Sequence, residues 1–143
     1  MPYIRVWIHL VWSTKNRMPL LNKEIRARVF DHIKTNAKEK EIYLDTINGY
    51  TEHAHALISL GSDQTIAKIA QLIKGESSHW INQNTLTRTK FEWQDEYFAV
   101  SVSESMLEKV REYINGQEEH HRTKNFDEEY QDFLKKYGSL KED

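Results

Sequence analysis

Four stretches of alternating apolar residues, two long stretches of four-residue apolar spacing, and their order along the chain predict an α+β fold. It is a split βαβ, ferredoxin-like antiparallel sheet, with helices on one face and a further helix over the other. The first strand is predicted by Ile4, Val6, Ile8, Leu10 and Trp12, which alternate with Arg5, Trp7, His9 and Val11. Asn22 then opens a helix in which Ile25, Val29 and Ile33 recur every four residues. Residues 42–50 and 53–60 read as two strands joined near Thr51-Glu52, with Asn48-Gly49 as a rival hairpin turn. Ser62 or Asp63 is expected to cap a second helix carrying the stripe Ile66, Ile69, Ile73, Trp80 and Ile81. Residues 84–95 read as a loop long enough to suggest a function. Phe98, Val100 and Val102 alternate with Tyr97, Ala99 and Ser101 in a fourth strand. A third helix follows from about Ser103, and a helical tail from about 124 to 143. The first two helices are expected on the Ile/Val/Leu face. The other face then carries Trp7, His9, Tyr50, His53, His55 and Tyr97, and aromatic and polar side chains of this kind suit unpaired bases.

A chain of 143 residues is expected to form a single domain, 1–143, with a real hydrophobic core. No apolar run has membrane-spanning length and the N-terminus lacks a signal-peptide pattern. The absence of cysteine excludes disulfides and thiolate sites, and the expected compartment is the cytoplasm. A formal net charge of -2 argues against nucleic-acid binding by bulk charge. Local clusters can still hold phosphates: Lys15 with Arg17, Arg26 with Arg28, Arg88 with Lys90, and Lys109 with Arg111.

The stretch YTEHAHALISL sets His53 and His55 on one face of a strand, with Ala54, Ala56, Ile58 and Leu60 on the other. Paired imidazoles there are either half of a metal site or part of a polar sheet face. On the third helix Met106, Val110, Tyr113 and Gln117 share one stripe, so a phenol and an amide point into the same space. If that helix crosses the histidine face, the amide oxygen completes a two-histidine metal site. Glu52 flanks the pair and is expected to serve as a turn residue. His120 and His121 are expected to be solvated at a helix end, and His79 to be surface or packing. A histidine-triad hydrolase would need histidine where Leu57 stands. A cupin would need glutamate a few residues after His55, where Ser59-Leu60 stand.

The His-x-His strand followed by Tyr-x-x-x-Gln on a late helix resembles the single-tyrosine HUH transposases of small bacterial insertion sequences, including REP-associated tyrosine transposases. The likeness extends to IHLVWSTKNR, QLIKGESSHWIN and YFAVSVSESMLEKVREYINGQ, and so to most of residues 4–121. The resemblance implies that His53, His55 and Gln117 bind a divalent metal, Mg²⁺ or Mn²⁺, and that Tyr113 is the nucleophile. It implies cleavage and strand transfer through a 5′-phosphotyrosine, on single-stranded DNA bearing hairpins. It also implies a homodimer in which the tyrosine helix of one subunit serves the histidines of the other. Lys15, Arg17, Lys74, Ser78 and Trp7 are the expected DNA-binding residues. The alternative is a domesticated hairpin-DNA-binding protein of the same fold without catalysis. An RNA-binding role is a weaker reading, because the aromatic RNP pattern is missing.

Overall fold

In the computed structural model, which describes residues 3–137, four strands form one antiparallel sheet. They are β1 (Val6–Ser13), β2 (Tyr43–Gly49), β3 (His53–Leu60) and β4 (Phe98–Val102), in the order β2-β3-β1-β4. Helix α1 (Lys23–Glu39) connects β1 to β2, and α2 (Ile66–Gln83) connects β3 to β4. This is the expected α+β arrangement, and both helices cover one face. There Ile8, Leu10 and Trp12 of β1 and Ala54, Ala56 and Ile58 of β3 meet Val29 and Ile33 of α1 and Ile69, Ile73 and Ile81 of α2. Large and small residues oppose one another across the central pair, Trp12 against Ala54 and Leu10 against Ala56. That opposition of large and small side chains lets the layer interdigitate.

Local signals account for most boundaries. The Asn22 side chain accepts a bond from the Ile25 amide at 2.9 Å, as its reading as a helix cap requires. The strand-joining turn falls at Thr51-Glu52, so Asn48-Gly49 lies within β2. Two expectations shift. The cap of α2 is Thr65, whose hydroxyl accepts from the Lys68 amide at 3.1 Å, whereas Ser62 and Asp63 lie in the preceding turn. The loop after α2 is part of the core: Phe91 and Trp93 turn inward, and Asn82 bonds the Phe91 backbone in both directions.

The phase of β4 is opposite to the expected one. His9 pairs with Val100 and Val11 with Phe98, so Phe98, Val100 and Val102 join the histidine face while Ala99 packs toward the helices. Tyr97 precedes the strand and lies under Lys74. Alternation defines a period, and only pairing with β1 selects the phase.

The histidine face is covered by three helical segments: α3 (Leu107–Asn115), the single turn α4 (Gln117–His120) and α5 (Phe126–Tyr137). A 3-10 turn at Glu104–Met106 precedes α3, which therefore starts later than Ser103. Leu107 and Ile114 pack on Trp7 and Leu57, with Val110 and Tyr113 half-buried beside them. Met106 is exposed, contrary to its place in the expected stripe. Arg111 clamps α3 to β2 through two bonds to Asp45, at 2.8 and 3.0 Å. Such a bidentate pair sets direction as well as distance. Residues 138–143 of the expected tail lie outside the described residues. No helix among the described residues is long and apolar enough to cross a membrane.

Candidate active site

His53 and His55 stand on the central strand β3 and are fully buried. His53 Nδ1 donates to Glu52 Oε1 at 2.7 Å. Its Nε2 then faces two oxygens, Gln117 Oε1 at 3.0 Å and Glu129 Oε1 at 3.3 Å. His55 Nδ1 pairs with His9 Nε2 at 2.9 Å, and its Nε2 lies 3.1 Å from Glu129 Oε1. Glu52 does sit in the turn, as expected, but its carboxylate swings back to orient His53. A carboxylate in that role fixes the ring and its tautomer.

The helical segments bring the remaining groups. Gln117 is fully buried, and its Nε2 donates to the Tyr113 carbonyl at 3.3 Å across the break at Gly116. The Tyr113 ring meets His55 edge-on at 5.6 Å, and its hydroxyl donates to Glu129 Oε2. His120 and His121 are not solvated helix-end residues. The His121 side chain is 2% exposed, stacks on Tyr50 and places Nε2 3.1 Å from Gln117 Oε1. His120 Nε2 is buried 3.3 Å from Glu129 Oε2 but makes no well-formed hydrogen bond. The correction has a tertiary cause: α5 folds over this helix end, burying the His121 ring and covering most of His120.

Glu129 is the residue that sequence reasoning missed. It lies in the first turn of α5, with a side chain 2% exposed. Its signal was available: Phe126, Glu129 and Tyr130 share one helix face, so a carboxylate interrupts an apolar stripe.

Burial sets the charges. It holds His9 down at about 3 and His55 at about 4, helped in each case by a neighbouring histidine. His121 is likewise held at about 4 by burial and by His53. Burial opposes charge on Glu129 as well, but hydrogen bonds from His53 and His55 keep its carboxyl down at about 2. On His53 burial is outweighed by Glu129 and Glu52, and the pKa rises above its ordinary value. Metal binds neutral imidazoles and an ionised carboxylate, so a cation at His53 would displace the proton that Glu129 and Glu52 favour there.

A pH dependence follows. Four histidines, His9, His55, His120 and His121, have depressed folded values, so the unfolded chain binds protons there that the folded chain excludes. Their contribution is complete above about pH 6.5 and is lost as pH falls toward 4 and 3. His53 acts oppositely, adding stability below 6.5 that is lost as pH rises through its folded value. Four groups outweigh one. In EDTA the urea midpoint should drop between pH 7.5 and pH 5, and equal midpoints would contradict these assignments.

The donor set fits a divalent cation. Imidazole nitrogens and amide or carboxylate oxygens converge with separations of 3.0–3.4 Å. Neighbouring ligands about 2.1 Å from a shared ion are about 3.0–3.4 Å apart. Buried oxygens that face the unprotonated side of an imidazole need a proton or a cation between them.

The expected DNA-binding residues separate. Trp7 is covered: 6% exposed, it packs under α3 and donates from Nε1 to Glu104 at 3.1 Å, so its ring offers no face for stacking. Lys15 and Arg17 follow β1. Lys15 pairs with Glu92, and Arg17 reaches Asp127 at 2.5 Å beneath the rings of Phe126 and Tyr130. Lys74 and Ser78 lie on α2, which covers the opposite face of the sheet. There Lys74 donates to the carbonyl of Asp95, and exposed His79 lies beside Ser78.

A ferredoxin-like sheet with two histidines on its central strand, under successive helical segments carrying tyrosine and glutamine, defines the single-tyrosine HUH class. The chain belongs to the IS200-like transposase family, whose model matches residues 3–117. The ISDra2 transposase TnpA of Deinococcus radiodurans is 25% identical over 114 residues, 76% of this chain and 81% of that protein. Two solved structures share the fold. One is an inferred transposase of D. radiodurans R1, with a TM-score of 0.66 and 21% identity over 82% of this chain and 95% of that one. The other is a REP-associated tyrosine transposase bound to a REP hairpin, with a TM-score of 0.63 and 15% identity over 85% of this chain and 72% of that one.

Proposed function

We propose that this transposase cleaves and rejoins single-stranded DNA beside hairpins, with Tyr113 as nucleophile and a divalent cation held by His53, His55 and Gln117. The observation that supports it is their convergence: the phenol, two imidazole edges and an amide oxygen lie in one buried cluster. The bound cation, Mg²⁺ or Mn²⁺, would polarise the scissile phosphate and neutralise developing charge. Tyr113 Oη attacks phosphorus, the bond to the 3′-oxygen breaks, and a 5′-phosphotyrosine and a free 3′-hydroxyl result. The phenol loses its proton and the departing oxygen gains one. The ester retains the energy of the broken bond, so reversal onto another 3′-hydroxyl rejoins the strand without a nucleotide cofactor. Gln117 and Tyr113 approach the same point because Gly116 bends the chain without breaking their one-turn relation. Lys15 and Arg17, beside β1, are the better-placed candidates to hold the DNA backbone.

Wild type incubated with Mn²⁺ and a hairpin from its element's own ends, labelled on the 3′ side, should give a protein–DNA adduct that survives denaturing electrophoresis. Binding of that hairpin with no adduct would establish the non-catalytic binder instead. Within one chain the tyrosine lies beside its own histidines. The homodimer with exchanged tyrosine helices is therefore tested by mixing Tyr113→Phe chains with His53→Ala/His55→Ala chains. Cleavage restored in mixed dimers supports exchange, and inactivity of verified mixed dimers supports a site built within one chain.

A further inference from the structure

We propose that Glu129, carried by α5, is a fourth side-chain ligand of the divalent cation held by His53, His55 and Gln117. The inference rests on the reading that this trio binds the cation, and adds a residue from beyond the segment matched by the family, 3–117.

The first argument is desolvation. A carboxylate that is 2% exposed has lost its water, and burying such a charge is costly unless a cation compensates it. No lysine or arginine pairs with Glu129 among the ion pairs of the described residues; its partners are four imidazoles, an amide and a phenol. Glu129 Oε1 lies 3.1–3.4 Å from Nε2 of His55, His53 and His121, close to the 3.0 Å that separates Gln117 Oε1 from His53. It occupies a corner of the same donor cluster, and together with His53 and His55 it forms a group of buried atoms able to hold a metal ion.

The second argument is delivery. Helix α5 starts with a reciprocal cap: Asn125 Oδ1 accepts from the Glu128 amide at 2.8 Å, and Glu128 Oε1 from the Asn125 amide at 3.1 Å. Phe126 stacks on His53 with ring centres 4.1 Å apart, and Arg17 ties down Asp127 at 2.5 Å. These contacts pin the four residues that precede Glu129, and its side chain is buried against the histidines.

The third argument is charge. Two imidazoles and an amide are neutral, and leave both positive charges of the ion uncompensated in a buried site. One carboxylate and one phosphodiester bring the sum to zero. Glu129 therefore provides affinity before DNA arrives and leaves one charge for the phosphate. Its second oxygen accepts from the Tyr113 hydroxyl, so the same carboxylate positions the nucleophile relative to the ion.

The test is Mn²⁺ binding to the full chain without DNA, by calorimetry and by water-proton relaxation. Glu129→Gln, checked for folding by circular dichroism, should weaken binding at least tenfold because its amide oxygen brings no charge, and Glu129→Ala should also add one coordinated water at saturation. Unchanged affinity in Glu129→Gln and unchanged affinity and water count in Glu129→Ala, with binding lost in His53→Ala/His55→Ala, overturn the proposal and leave the histidine site standing. Wild-type affinity in the histidine double variant overturns the histidine site itself. Should Glu129→Gln not fold, Glu129→Asp decides, since its carboxylate is drawn back by one methylene. Weakened binding supports ligation, and wild-type affinity overturns it.

Discussion

Tyr113→Phe should abolish covalent DNA adducts while leaving a folded chain that still binds its hairpin. The change removes one oxygen from a ring that packs beside Val110 against Trp7, Leu57 and Ile114. The hydrogen bond to Glu129 is lost, which costs folding at most about 3 kcal/mol for a bond to a charged acceptor. Chemistry loses its nucleophile outright. Glu129, the nearest oxygen-bearing side chain at that point, is a carboxylate engaged by the histidines. Denaturing electrophoresis with the 3′-side label reads the adduct, and a hairpin mobility shift reads binding. An adduct persisting in the phenylalanine variant would assign the nucleophile elsewhere. Loss of hairpin binding together with the adduct would mean that Tyr113 serves the fold or the DNA surface.

The second large effect is on metal. Mn²⁺ should raise the melting temperature of wild type, because an ion that binds only the folded chain stabilises it by mass action. His53→Ala with His55→Ala should eliminate that rise. Without metal the double variant loses two buried rings and the charge partners of Glu129, so its own melting temperature should be lower. The informative quantity is therefore the Mn²⁺-dependent increment within each variant. Gln117→Ala should reduce the increment less, since one neutral oxygen leaves and both imidazoles remain. An undiminished increment in the double variant would place the ion at the group formed by His120, His121 and Glu129.

Strands, helices and their order were legible in the sequence because period-two and period-3.6 patterns act over a few neighbouring residues. The same locality made the core of the candidate site legible. His53 and His55 share a face in any extended strand, and Tyr113 and Gln117 share a side in any helix. What lay beyond that range needed the tertiary structure. Strand pairing placed Phe98 and Val100 beside His9 and Val11, a phase that alternation within β4 does not contain. Packing of α3 covered Trp7, which in an isolated strand would have been open to a base. The return of α5 across the sheet turned His120 and His121 from helix-end residues into neighbours of the site, and brought Glu129 from 74 positions away to 3.1 Å from His55. The sequence alone determined which side chains share a strand face or a helix turn, because backbone geometry repeats identically at every residue. Only the tertiary structure decided which faces meet and which charges lose their water, because those depend on contacts between segments that no local pattern encodes.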